Sequence, residues 1–289
     1  MHIVDNAVIM AAGTSSRFAP LSYENPKALI TVKGEVLIER QIRQLKEAGI
    51  NEIYIVTGYK NEMFAYLKEK FGVHIVHNPD YLTRNNNASI YAVKDILKNT
   101  YICSADNYFS ENPFESQVED CYYAAVYANG PTKEWCMDCD ETGTITDVQI
   151  GGENAWYMLG HTFWDETFSK KFVEILEAEY NLPKTADLLW ESIYIDHIDE
   201  LKMKIRKYPD DLVFEFDTLD ELREFDTEYV KDTKSEILKG IAAELGCGEE
   251  DIVEVTAYKD KTNEAAGFTF KCKYDSYIYS YSDKKLRRK

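Results

Sequence analysis

A chain of 289 residues with 45% hydrophobic content can bury one substantial core and carry a small second module. Its formal charge of −18, from 33 Lys and Arg against 51 Asp and Glu, excludes a non-specific nucleic-acid binder, because no long-range attraction to a phosphate backbone is available. No apolar run approaches membrane-spanning length and no basic leader is seen, so the expectation is a cytoplasmic protein without membrane insertion. The six cysteines are scattered, and Cys136 with Cys139 lacks the second pair a zinc site needs; they read as packing thiols of a reducing compartment.

In chain order, the apolar stretch Ala7 to Met10 runs into AAGTSSRFAPL, and a helical pattern spans about Val36 to Ala48 before the stop at Gly49. A β-rich run follows from Glu52 to Tyr59, then an amphipathic stretch Glu62 to Lys70, a strand Val73 to His77, a helix Ala88 to Lys98 and a strand Thr100 to Asn107. Strands alternating with helices predict a Rossmann-like α/β fold, a mixed, mostly parallel sheet flanked by helices. From Cys121 the segments CYYAAVYA, those around Trp135 and Ile145, and YMLGHTFW read as strands without long helices between them, a β-rich substrate-binding layer over the open edge of the nucleotide-binding half. Helices at about Glu166 to Tyr180 and Thr185 to His197, a strand Val213 to Asp217 and a closing helix Leu219 to Tyr229 complete a domain of residues 1–230. Residues 231–289 read as a small α+β unit: a helix from about Ser235 to Leu245, the turn GCGEED, and strands near Ile252 to Tyr258, Phe268 to Lys273 and Tyr277 to Tyr281, the last two a hairpin across Tyr274 to Ser276.

The loop after the first strand is where backbone amides can converge on a phosphate, which makes Ala11, Ala12, Gly13 and Thr14 candidate nucleotide contacts. Gly13 would permit close approach. Arg17 offers a planar fork for phosphate oxygens and Lys27 a compact charge, so the loop gathers cations in an acidic protein. Glycine turns between strand and helix are common, however, and surface cations usually carry no function. Asp106 and Asp217 each end a predicted strand, where ligands of open α/β sheets bind, and two such carboxylates could serve Mg²⁺, which takes hard oxygens and combines protein carboxylates with substrate phosphates. Asn85, Asn86 and Ser89, between a strand and a helix, could pair with a pyrimidine edge, though an asparagine run before a helix also reads as an N-cap and turn. Trp135, Trp190 and Asp187 are candidates for a cationic acceptor, by aromatic face and by charge, against the ordinary packing role of tryptophan.

The longer pattern is more specific. AAG, Arg17, Pro20-Leu21 and Pro26-Lys27-Ala28-Leu29 resemble the signature of the sugar-nucleotide pyrophosphorylase superfamily, with Ser15 standing where those enzymes usually carry a second glycine. Within it, Gly58-Tyr59, NPDYLTRNNNASIY, SADNY, Lys133-Glu134-Trp135, Phe163-Trp164-Asp165, Asp187-Leu188 with Trp190, and FEFDT are similar to bacterial CTP:phosphocholine cytidylyltransferases, over about Ala7 to Tyr229.

That resemblance implies CTP and phosphocholine as substrates, Mg²⁺ on Asp106 and Asp217, catalytic roles for Lys27, Arg17 and Asp106, and base recognition by the loop of Asn85, Asn86 and Ser89. The implied reaction is in-line attack of a substrate phosphate oxygen on the α-phosphorus of CTP, giving CDP-choline and pyrophosphate. Another phospho-alcohol, an aminoalkylphosphonate or a sugar 1-phosphate would leave the same loop and carboxylates, and a non-catalytic nucleotide-binding regulator is the reading from a different class. Some relatives continue into a choline-kinase-like domain, so residues 231–289 could be a kinase-lobe-like remnant. They leave no room for a kinase catalytic loop, and a packing, lid or dimerisation role, with a homodimer, is the expectation. Deleting them is expected to leave the chemical step possible.

Overall fold

The structure is a computed structural model that describes residues 1–260 and 265–289. Two compact units emerge, one from Met1–Gly13 with Ile38–Phe214, the other from Thr14–Leu37 with Glu215–Lys289.

The first unit is built on a nine-stranded sheet among the described residues. In spatial order the path runs Ile145–Glu153, Pro131–Cys139, Trp156–Trp164, Thr100–Ser104, Asn6–Ala11, Ile53–Thr57 and His74–His77, with Tyr122–Tyr127 paired to Trp156–Trp164 and to Lys204–Lys207. Asn6–Ala11 has parallel neighbours on both sides, Ile53–Thr57 and Thr100–Ser104. Such a strand is covered on both faces, which is why NAVIMA reads as a continuous apolar run rather than an alternating one. Trp156–Trp164 pairs antiparallel with Thr100–Ser104. The β-rich second half therefore extends the same sheet and makes it mixed.

The helix Leu37–Glu47 buries Leu37, Ile38, Ile42 and Leu45, one face at helical spacing. It also buries Gln41 and Gln44. Their amides donate to the carbonyls of Ser104, Asn107, Phe109 and Glu111 at 2.8–3.2 Å, so side chains of this helix anchor the turn after Thr100–Ser104. On the other face, Asp165 caps the helix Glu166–Glu179 through the Phe168 amide at 2.8 Å. Phe168, Phe172 and Leu176 from that helix close over Trp164 and Trp190, whose ring centroids are 5.0 Å apart. The run expected as one helix from Thr185 to His197 is instead a 3-10 turn, Pro183–Asp187, and an α-helix, Trp190–Asp196, with Leu188 and Leu189 extended between them. Asparagine side chains take up the carbonyls that a continuous helix would have paired.

In the second unit, the helix Leu219–Phe225 opens with a capping box between Thr218 and Glu221. Its buried Arg223 donates to the carbonyls of Tyr229, Glu249 and Ile252 and pairs with Asp220 at 3.3 Å. The helix Glu236–Leu245 is capped by Ser235 and ends at Gly246 in the left-handed conformation, φ 63°. A four-stranded antiparallel sheet follows in the order Ile252–Lys259, Ala265–Cys272, Asp275–Ser280 and Lys285–Arg288. Its hairpin pairs Cys272 with Asp275, so the turn is Lys273 and Tyr274, one residue earlier than expected. The segment 14–37 belongs to the same unit and is fastened to it at distant points. Tyr229 Oη donates to the Thr31 carbonyl at 2.6 Å, the Lys33 amide to Asp226 at 2.7 Å and the Ile237 amide to Glu24 at 3.1 Å, while Tyr23 stacks on Tyr281 at 3.6 Å between centroids. Two of these contacts, at Ile237 and Tyr281, come from residues 231–289, which therefore share a unit with 14–37 and with 215–230.

Candidate active site

Ala11 and Ala12 are buried at the end of the first strand, and Gly13 and Thr14 emerge exposed. A side chain at Gly13 would meet no protein atom, so the fold itself does not demand glycine there. At Gly58, by contrast, an added Cβ would lie 2.8 Å from the Ala12 carbonyl oxygen and 2.5 Å from the Tyr81 ring, while the Tyr59 amide donates to that same carbonyl at 3.1 Å. Gly58 thus lets the second strand clasp the loop backbone. Gly58→Ala is expected to push Ala12 outward and lower turnover about tenfold with a modest loss of stability, read by steady-state kinetics beside a thermal melt. Ser15 sits at φ 46°, ψ 43°, the left-handed region that glycine occupies at lower cost, so the chain keeps the turn although it lacks the second glycine.

In the second unit Arg17 is exposed on a 3-10 turn, Ser16–Phe18, and its guanidinium meets Asp217 Oδ2 at 2.7 Å. Lys27 follows Pro26 at the start of another 3-10 turn and is only 4% exposed. Its ammonium lies 3.9 Å from Glu215 Oε1, 4.0 Å from Asp217 Oδ1 and 5.7 Å from the centre of the Phe18 ring. An ammonium withdrawn from water is costly unless opposite charge accompanies it, and the two carboxylates supply that charge at distances beyond hydrogen bonding. Two cations and two carboxylates are thereby gathered from segments nearly two hundred residues apart.

Asp217 is half-buried, three residues beyond the short strand Val213–Phe214. The capping box fixes it: Glu221 accepts from the backbone amides of Asp217 and Thr218 at 2.6 and 3.1 Å. Asp106 is half-buried in the turn after Thr100–Ser104 that Gln41 and Gln44 anchor, and the neighbouring Ala105 amide donates to the Met10 carbonyl at 3.1 Å. Among the described residues no three His, Cys, Asp or Glu side chains converge as a ready-made cage. Asp106 and Asp217 each offer a half-buried carboxylate, the hard oxygen donor that an ion such as Mg²⁺ takes beside phosphate oxygens and water.

The asparagine run does something the sequence did not reveal. Asn86 Oδ1 accepts from the Trp190 amide at 2.7 Å and its Nδ2 donates to Glu191 at 3.1 Å. Asn85 Nδ2 donates to the Asp187 carbonyl at 3.1 Å, and Asn87 Nδ2 to the carbonyls of Thr185 and Leu188. Ser89 is buried and accepts from Asn78 at 3.2 Å. No side-chain N-cap bond forms at Asn86, and the three asparagines clamp the segment 185–191.

Of the acceptor candidates, Trp190 is corrected: it is 1% exposed, stacks on Tyr123 and belongs to the core, so it presents no face to a ligand. Its helix turns the ring inward against Trp164 and Phe172. Trp135 is half-buried on the strand Pro131–Cys139 opposite Ile150, and Asp187 is exposed at the end of its 3-10 turn. Sequence reasoning missed Glu215 and Glu191. Glu215 had a signal, since it lies two positions before Asp217 on an extended segment and so on the same side. Glu191 had none, being one more acidic residue in a helical run.

Burial pushes the Glu191 carboxyl from the usual 4.5 up to about 7, against the pull of hydrogen bonds from Asn86, its own backbone and Tyr123. The folded chain then holds an extra proton between those two values. Stability from this group is complete below 4.5, declines as pH rises and levels off above 7, by at most about 1.4 kcal/mol per pH unit. Buried His161, held near 3 by burial, stays neutral throughout that window. Glu191→Gln is expected to flatten the fall in melting temperature between pH 5 and 7.5; parallel curves for the two proteins would refute the assignment.

Residues 7–113 match the MobA-like NTP transferase domain. The chain is 36% identical over 220 residues to a choline-phosphate cytidylyltransferase of Streptococcus pneumoniae, covering 76% of this chain and 96% of the relative. It is also 36% identical over 230 residues to a 2-aminoethylphosphonate cytidylyltransferase of Lancefieldella rimae, covering 78% and 93%. The solved structure of a CTP:phosphocholine cytidylyltransferase from Streptococcus pneumoniae superposes with a TM-score of 0.75 at 35% identity, covering 78% of this chain and 99% of the other. Such identity across nearly the whole length of these relatives places the chain in the cytidylyltransferase family of MobA-like nucleotidyltransferases.

Proposed function

We propose that the protein transfers the CMP moiety of CTP to phosphocholine with Mg²⁺ as cofactor. The observation that carries this reading is the cluster of Arg17, Lys27, Glu215 and Asp217, a concentration of cations beside hard carboxylates in a protein of net charge −18. A phosphate oxygen of the acceptor forms the new bond to the α-phosphorus of CTP, the bond between α-phosphorus and the bridging oxygen breaks, and pyrophosphate leaves. A phosphate monoester is already an adequate nucleophile, so alignment and charge neutralisation are what the protein must add. Mg²⁺, when bound, would supply Lewis-acid neutralisation of the phosphates, and Asp217 and Asp106 would each offer it a carboxylate. Lys27 neutralises charge at the α-phosphate; Arg17 and the amides of Ala12 to Thr14 hold the departing pyrophosphate. Trp135 and Asp187 are assigned to the acceptor's cationic end, by aromatic face and by charge.

The equal identity to a 2-aminoethylphosphonate enzyme supports a second reading in which the acceptor is an aminoalkylphosphonate. A primary ammonium donates hydrogen bonds to carboxylates, whereas a quaternary ammonium can only lie against aromatic faces and negative charge. Pyrophosphate release from CTP, UTP, dTTP and GTP against phosphocholine, phosphoethanolamine, 2-aminoethylphosphonate and a sugar 1-phosphate decides the matter. The highest kcat/KM is expected for CTP with phosphocholine; a preference for 2-aminoethylphosphonate would install the second reading, and release with no pair would end both.

A further inference from the structure

Residues 84–89 and 185–191 are a hundred positions apart, yet the side chains of Asn85, Asn86 and Asn87 all reach from the first to the second. Four of these bonds end on backbone groups of the second segment, which has no helical ladder of its own at Leu188 and Leu189. One ends on a carboxylate. Glu191 Oε2 accepts from Asn86 at 3.1 Å and Oε1 from the Tyr123 hydroxyl at 3.3 Å, and Tyr123 is itself fixed by stacking on Trp190 with centroids 5.8 Å apart and planes 17° off parallel. The amide of Asn86 is thus spoken for at both ends, since its oxygen takes the Trp190 amide at 2.7 Å. An amide so engaged cannot turn to a pyrimidine without releasing a hydrogen bond to an ionisable group in a poorly solvated site, the kind of bond that is expensive to break.

Resting on the reading that residues 84–89 lie against the nucleotide, we propose that Glu191 is a positioning residue: with Tyr123 behind it, its carboxylate fixes the Asn86 side chain and through it the conformation of that loop. Glu191 touches neither substrate in this scheme. Its effect reaches CTP through the shape of the loop, and Asn86 acts as a strut whose own amide does not read the base.

The test uses the full chain with Glu191→Ala, Glu191→Gln and Tyr123→Phe, the last removing the hydroxyl while keeping the stacked ring. Hydrogen–deuterium exchange of peptides covering residues 84–92, without nucleotide, is expected to quicken in Glu191→Ala. KM for CTP is expected to rise about tenfold with a smaller change in kcat. Glutamine can accept from Asn86 through its oxygen and donate to the Tyr123 oxygen through its amide, so Glu191→Gln restores both readouts. Should Glu191→Ala fail to fold, Tyr123→Phe gives the same directions at smaller size. Unchanged exchange in the loop overturns the proposal, as does a fall in kcat at constant KM for CTP. Failure of the functional reading shows separately, as a wild-type protein that releases no pyrophosphate with any acceptor, and takes the proposal with it.

Discussion

Asp217→Asn lowers kcat by a factor on the order of a hundred to a thousand and raises the Mg²⁺ concentration needed for half-maximal rate. The substitution is nearly isosteric, and the oxygen that remains can still accept from Arg17, whose side chain is 77% exposed. Loss of that exposed ion pair costs the fold little, within about 1 kcal/mol. Turnover and stability therefore separate, which a merely structural aspartate would not allow. Asp106→Asn is expected to behave the same way, because the near-isosteric swap leaves untouched the hydrogen bonds by which Gln41 and Gln44 hold its turn. Rates titrated against Mg²⁺ beside thermal melts give the answer. Normal turnover with an unshifted Mg²⁺ requirement in either variant would remove that residue from the metal.

Lys27→Ala comes next in size, lowering kcat about a hundredfold by deleting a cation held close to where negative charge gathers during transfer. Lys27 is 4% exposed, so its loss also leaves Glu215 and Asp217 without the ammonium near 4 Å. Both carboxylates are 36% exposed and keep contact with water, which limits the destabilisation to about 2 kcal/mol, less than a fully enclosed pair would cost. kcat should fall more than KM for CTP rises, since the charge acts chiefly on the state in which bonds are changing. Wild-type turnover in a folded Lys27→Ala protein would contradict its role.

The elements most legible in the sequence were those governed by local pattern. The strand, loop and helix at the start could be read from an apolar run, a glycine and 3.6-residue spacing, and Asp106 could be placed at a strand end from the strand alone. Where partners were distant, local pattern misled. NNNAS looks like a cap because nothing near it shows that Thr185, Leu188 and Glu191 will consume its amides. DLLWESIY looks like one helix because the asparagines that break its first turn lie a hundred residues earlier. Trp190 was ambiguous for the same reason, as helical spacing leaves open which side of the helix meets Trp164. The burial of Lys27 was likewise hidden, since its counter-charges come from Glu215 and Asp217.

The interleaving of residues 14–37 with 215–289 bears on how the enzyme is born. Thr31 waits for Tyr229, 198 positions later, and Glu24 for Ile237, 213 positions later. During synthesis at roughly 5–20 residues per second, the first unit has all its strands before those partners exist. Closing loops of that span is slow, and until it happens Arg17 and Lys27 have no Asp217 to meet. A nascent chain can thus be largely folded and still lack the cluster proposed to handle phosphate, so that, on that proposal, activity arrives in a late step, some seconds after most of the structure.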